Sequence, residues 1–135
     1  MSREAKFWKQ LKTNSRSTDR KLQFTRVENS AGLGFPDVLM CDEQGRLHLI
    51  ELKTTLANSL RLSPHQVSFL TRHSHASCWI AVKKETKKYK PVIYLFDAAD
   101  AIALAKDGIA GAAPVAAFPT PVDWRLFFNT ISPLN

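Results

Sequence analysis

Ala5, Phe7, Trp8 and Leu11 recur at helical spacing and predict a short amphipathic helix over residues 3–12. The polar run 13–20 (TNSRSTDR) then reads as a loop. Leu22, Phe24 and Val27 show partial alternation and suggest a strand, and the stretch 29–34, with two glycines, a serine and an asparagine, suggests a loop. Residues 36–41 and 46–54 read as strands joined by Asp42-Glu43-Gln44-Gly45, a connection short enough to make an antiparallel hairpin. Ser63-Pro64 supplies the start signals of a helix reaching about residue 74. The apolar run 78–82 (CWIAV) predicts a buried strand, 83–90 a basic loop, and 91–96 a further strand. An alanine-rich helix over 97–107 ends at Gly108. Residues 109–135 are punctuated by Ala and Pro and turn apolar at Trp124, Phe127 and Phe128, which pack on the core or on a second subunit. The order of elements gives an α/β fold, a mixed β-sheet flanked by helices. It is expected as one domain over 1–135, with a core of about 3–96 and a C-terminal helix and apolar extension over 97–135.

Composition agrees with one compact domain. The chain has 135 residues, 44% hydrophobic and 23% charged, within the ordinary range for a globular protein. No apolar run approaches the roughly 20 residues of a membrane span, and residues 1–12 carry charges rather than a signal core. The expected location is therefore the cytoplasm, at a nucleoid, in a cell or encoded by a phage. Cys41 and Cys78 stand far apart in expected strands, outside any C-x-x-C pair, and read as reduced core residues.

The net charge of +7 is unevenly placed. Residues 1–26 carry eight basic and two acidic side chains, and residues 83–90 carry five basic and one acidic, while the rest is net acidic. Two basic stretches on a neutral-to-acidic body suit a polyanion surface, although solubilising lysines would look the same. Lys9, Lys12, Arg16, Lys83, Lys84, Lys87 and Lys88 are the candidate DNA contacts, through phosphates and without sequence information.

The hairpin carries the chemistry. Side chains two apart in a strand share a face, so Glu51 and Lys53 point together, with Ile50 and Leu52 on the other side. Asp37 begins the partner strand, and in a hairpin of this length it falls beside them. Converging carboxylates repel unless a cation lies between them. Hard oxygen ligands suit Mg2+, with Mn2+ able to substitute. A simple salt bridge at a strand end is the alternative.

Pro36-Asp37, followed fourteen positions after the Asp by Glu51-Leu52-Lys53, resembles the signature of the PD-(D/E)XK nuclease superfamily. Its context, a glycine loop (GLGFPD) before the hairpin and a capped helix after it, is similar to Holliday junction resolvases of the archaeal and RecU types and to VRR-NUC nucleases. The likeness covers roughly residues 3–96. It implies a restriction-endonuclease-like fold, with Asp37, Glu51 and the backbone carbonyl of Leu52 as metal ligands and Lys53 as catalytic lysine. It also implies a further acid, either Glu4 on the first helix or Glu28, and places Ser30 near the scissile phosphate. Gln66 has two readings. The family places a glutamine near the active centre on this helix, while Ser63-Pro64-His65-Gln66 is also an S-x-x-Q capping box. His65, His73 and His75 lack a recognised zinc spacing and read as surface or phosphate-contacting residues.

A core this small leaves little material for reading bases in a groove. A metal-dependent, structure-specific endonuclease acting on branched DNA, above all the four-way junction, is the expectation. It would work as a homodimer, with Trp124 and Phe127 as the candidate interface. The alternatives are a VRR-NUC-like flap or nicking DNase of the same superfamily, and a non-catalytic basic DNA-binding module.

Overall fold

The computed structural model describes residues 1–28 and 34–134. Helix α1 (Arg3–Ser15) begins where the Ser2 hydroxyl accepts the Ala5 amide at 3.1 Å. Phe7 and Leu11, one turn apart, are fully buried. The helix outruns its expected end by three residues, and closes where the Ser15 and Thr18 hydroxyls bond to the Lys12 and Ser15 carbonyls. Strand β1 (Gln23–Arg26) leads to the hairpin of β2 (Val38–Cys41) and β3 (Leu47–Thr55). The hairpin turns at Gly45, whose φ is 79°, and its register pairs Val38 with Ile50 and Cys41 with Leu47.

Helix α2 (Pro64–Arg72) crosses from β3 to β4 (Cys78–Lys84), and β5 (Val92–Asp97) follows. Lys83 and Lys84, expected in a loop, instead continue β4, because parallel pairing with β3 extends to Thr54 and Thr55. The alanine-rich segment forms a short 3-10 turn (Ala98–Asp100) and helix α3 (Ala101–Asp107). The expected C-terminal extension supplies strand β6 (Ala116–Pro119) and helix α4 (Trp124–Ile131), started by the Asp123 carboxylate on the Leu126 amide.

The sheet is mixed and six-stranded, in the order β1-β2-β3-β4-β5-β6, with β3 and β4 parallel and every other pair antiparallel. The expected α/β class, a mixed sheet flanked by helices, is the one found. On one face, α1 and α4 bury Phe7, Leu11, Phe127, Phe128 and Ile131 against Val38, Met40, Ile50, Leu52 and Leu95. On the other, α2 and α3 bury Leu70, Ala101 and Leu104 against Ile80, Val82 and Phe96. Phe127 is completely buried and Trp124 packs edge-on against it at 5.4 Å. This takes Phe127 out of the candidate dimer surface and into its own chain's core, while Trp124 is only half-buried. Among the described residues no helix is long and apolar enough to cross a membrane.

Candidate active site

The hairpin register, continued one residue beyond Val38 and Ile50, sets Asp37 opposite Glu51. Asp37 Oδ2 accepts the backbone amide of Leu52 at 2.9 Å. Its own carbonyl accepts the Val27 amide at 2.8 Å. The residue is thus held to β3 through its carboxylate and to the segment just after β1 through its backbone.

Glu51 is 1% exposed, an unusual place for a carboxylate. Its Oε2 lies 3.5 Å from Lys53 Nζ and accepts the side-chain amide of Gln66 at 3.3 Å. Its Oε1 is buried with no hydrogen-bond partner. Burial above all, and then the charge of Asp37, raise the Glu51 carboxyl to about 9, against the pull of Lys53.

Gln66 bonds both at the start of α2 and to the charged pair of β3. Its Oε1 accepts the Ser63 amide at 2.9 Å while the Ser63 hydroxyl accepts the Gln66 amide at 3.1 Å, closing the capping box. The same Oε1 accepts from Lys53 Nζ at 3.2 Å, and Nε2 turns to Glu51. One amide therefore starts α2 and holds the two charged side chains of β3.

The helix reaches this position because of Gly34. That residue has φ 78°, and a Cβ there would stand 2.2 Å from the His65 carbonyl oxygen. Only a glycine lets the approach to β2 pass so close beneath the start of α2. Phe35 and Phe69, with ring centroids 5.1 Å apart, brace the same junction.

Other expected residues fall elsewhere. Glu4 is not brought to the pair: its carboxylate accepts the Thr54 hydroxyl at 2.8 Å, on the face of β3 that α1 covers. The alternation of the strand puts Thr54 and Lys53 on opposite sides. Glu28 is exposed at the end of β1, and Ser30 lies outside the described residues. Lys9, Lys12 and Arg16 are exposed on α1, across the sheet from Glu51. Lys83 follows them to that face, bonding Gln10 at 2.8 Å, whereas Lys84 points to the α2 face and bonds Asn58 at 2.9 Å. Lys87 and Lys88 are exposed in the turn before β5. His65, His73 and His75 are exposed, and His73 stacks on Phe69 at 4.0 Å. Cys41 and Cys78 are free thiols, and burial pushes Cys78 up to about 11.

Among the described residues no three His, Cys, Asp or Glu side chains converge as a metal site. The donor set at the hairpin is two carboxylates and the Leu52 peptide. It nevertheless fits a hard divalent cation. A buried carboxylate oxygen without a partner, next to a second carboxylate, lacks the positive charge that would let both ionise.

A second polar cluster was not visible in the sequence. Asp42, 4% exposed, accepts from Arg46 Nε at 2.8 Å and the Ser132 hydroxyl at 2.8 Å, and meets His48 Nε2 at 2.9 Å. His48 Nδ1 lies 2.6 Å from the Ser77 hydroxyl. Arg20 joins this group to α4 through Ser132 and Asn129, and to Glu43. Its members come from four separate stretches of the chain, so only the folded chain assembles them.

No family model and no curated protein matches this chain. A solved structure does. It is that of Hjc, a Holliday junction resolvase from the archaeal hyperthermophile Archaeoglobus fulgidus. The chain is similar to Hjc at 21% identity with a TM-score of 0.49, over 72% of this chain and 74% of the resolvase. The chemistry rests on this chain's own side chains.

Proposed function

We propose that this chain is a metal-dependent endonuclease that hydrolyses phosphodiesters in branched DNA, with the four-way junction as its preferred substrate. The observation that carries the reading is the buried, partnerless oxygen of Glu51 beside Asp37. Asp37, Glu51 and the Leu52 carbonyl would hold Mg2+, or Mn2+ in its place. A divalent ion held there supplies Lewis acidity toward a phosphodiester and lowers the pKa of water. Lys53, tethered by Gln66, presents its ammonium where negative charge grows on the phosphorus oxygens. Gln66 fixes the angle of both side chains and is a positioning residue. A chain with this work acts where DNA is, at a nucleoid in the cytoplasm.

A junction is cut on two symmetric strands, which a homodimer does naturally. The burial of Phe127 inside the monomer favours a second reading, a monomeric flap-cutting or nicking DNase with the same centre. Both readings are tested with a labelled four-way junction, and with a flap and a linear duplex of the same sequence, in Mg2+ and in EDTA. Paired, Mg2+-dependent cuts at the branch support the resolvase. Single cuts in the flap support the second reading. The Asp37→Asn protein is expected to bind junction and to lose at least about 100-fold in cleavage rate. Undiminished cleavage by that variant would remove Asp37 from the centre, and absence of cutting in both Mg2+ and Mn2+ would leave a DNA-binding module.

A further inference from the structure

The sheet face that carries Lys53 continues into a feature the cleavage chemistry does not use. Register places Lys53 opposite Val82, and Val82 opposite Tyr94. Lys53 and Tyr94 thus stand in one row, two strand spacings apart, or roughly 10 Å. One step on, Thr55 pairs with Lys84 and Lys84 with Val92. Around these residues opens a cavity of about 530 Å³, lined by Lys84, Lys88, Tyr89, Lys90, Tyr94 and their neighbours. Neither Glu51 nor Lys53 lines it, so it is a separate site on the same face.

Its chemistry has two parts. Three lysines supply positive charge, and two phenol rings supply flat apolar surface. Tyr89 is 67% exposed, so its ring is open to a ligand. Within the turn that presents it, the Thr86 hydroxyl accepts the Tyr89 amide at 3.1 Å. Lys88 Nζ stands 5.5 Å from the Tyr89 ring centroid. Lys84 is held by Asn58, which fixes one wall. Phosphates alone would call for lysines without rings, and an apolar ligand for rings without lysines. Aromatic faces among phosphate-binding cations are what an unpaired nucleotide requires, and the volume falls in the range of small-ligand sites.

We infer that this cavity seats an unstacked base of single-stranded DNA, stacked on Tyr89 or Tyr94 with its phosphates on Lys84, Lys88 and Lys90. The inference rests on the DNA-cutting reading of the neighbouring centre and names the substrate feature that reading leaves open. In a four-way junction that base would come from a pair opened at the branch point, close to the break.

The test is a fluorescence titration in EDTA with two labelled ten-unit strands, one of thymidylates and one of abasic phosphodiester units. Charge is equal in the two, so the lysines contribute equally and only the bases differ. The intact protein is expected to favour the base-bearing strand by about fivefold or more. Tyr89→Leu, or Tyr94→Leu with its fold checked by circular dichroism, is expected to bring that ratio toward one, while Tyr89→Phe keeps it. Equal affinity of the intact protein for the two strands, no binding of either, or a ratio unchanged in both leucine variants would overturn the inference. No metal or cleavage enters the titration. An Asp37→Asn protein that fails to cut yet keeps the base preference would separate the two sites. So would an active enzyme without the preference.

Discussion

Glu51 is held protonated by its surroundings, and this has a measurable sign. An unfolded chain gives up that proton near 4.5, whereas the folded chain without a cation keeps it until about 9. Between those values the folded state binds more protons, so this residue's contribution to stability falls as pH rises, by up to about 1.4 kcal/mol per unit. Glu51→Gln preserves the shape and removes the titration. In EDTA the variant is expected to melt above the parent protein, by a margin that widens from pH 5 to pH 9. Saturating Mg2+ should narrow the gap by binding only the parent, and a margin independent of pH would show that Glu51 is ionised without metal. Much of this centre was legible, because Asp37, Glu51 and Lys53 lie on one hairpin whose register follows from alternation and a short turn. The Gln66 bonds were legible only as a choice between two roles, since the sequence does not show that one amide reaches both. Glu4 was misplaced for a simple reason: its helix covers the face of β3 opposite to Glu51.

At the scale of elements, the junction between the approach to β2 and the start of α2 decides whether Gln66 meets Lys53. Gly34 makes that junction possible. Gly34→Ala places a methyl group against the His65 carbonyl and forces a positive φ on an L side chain. The expected cost is about 1–3 kcal/mol in urea unfolding, with a larger proportional loss of cleavage than of fold. An alanine variant with unchanged stability and rate would show that α2 is free to shift. The turn, the capping box and the hydrophobic runs predicted the elements around this junction well. The C-terminal elements were not legible, because β6 is four residues with two alanines and a proline. Its strand character comes from pairing with β5, and such tertiary override leaves little local pattern.

The whole molecule is closed by α4, which the sequence left undecided between a core and an interface. Phe128 lies among Phe24, Trp124 and Phe127. Phe128→Ala should cost about 3–5 kcal/mol by removing a fully buried ring, read as a lower midpoint in urea. A cost under 1 kcal/mol would mean that α4 is peripheral. The Asp42 cluster pins the same helix to the β2–β3 turn. Burial would raise the Asp42 carboxyl, but hydrogen bonds from His48, Ser132 and Arg46 hold it well below the usual range. Its contribution is therefore present above about pH 4 and lost only in stronger acid. The sheet also divides the positive charge. The exposed lysines of α1 lie on one side, while Lys53 and the Lys84 cavity lie on the other. A polyanion caught by α1 would be held with its backbone away from the proposed centre. Ionic strength then works in two directions, releasing idle encounters first and weakening productive ones later. Cleavage should pass through a maximum as salt rises from a few millimolar. Removing charge from the outer face with Lys9→Gln, Lys12→Gln and Arg16→Gln together should abolish the inhibition on the dilute side of that maximum, and a monotonic fall in the parent protein would mean that both faces serve the same bound strand.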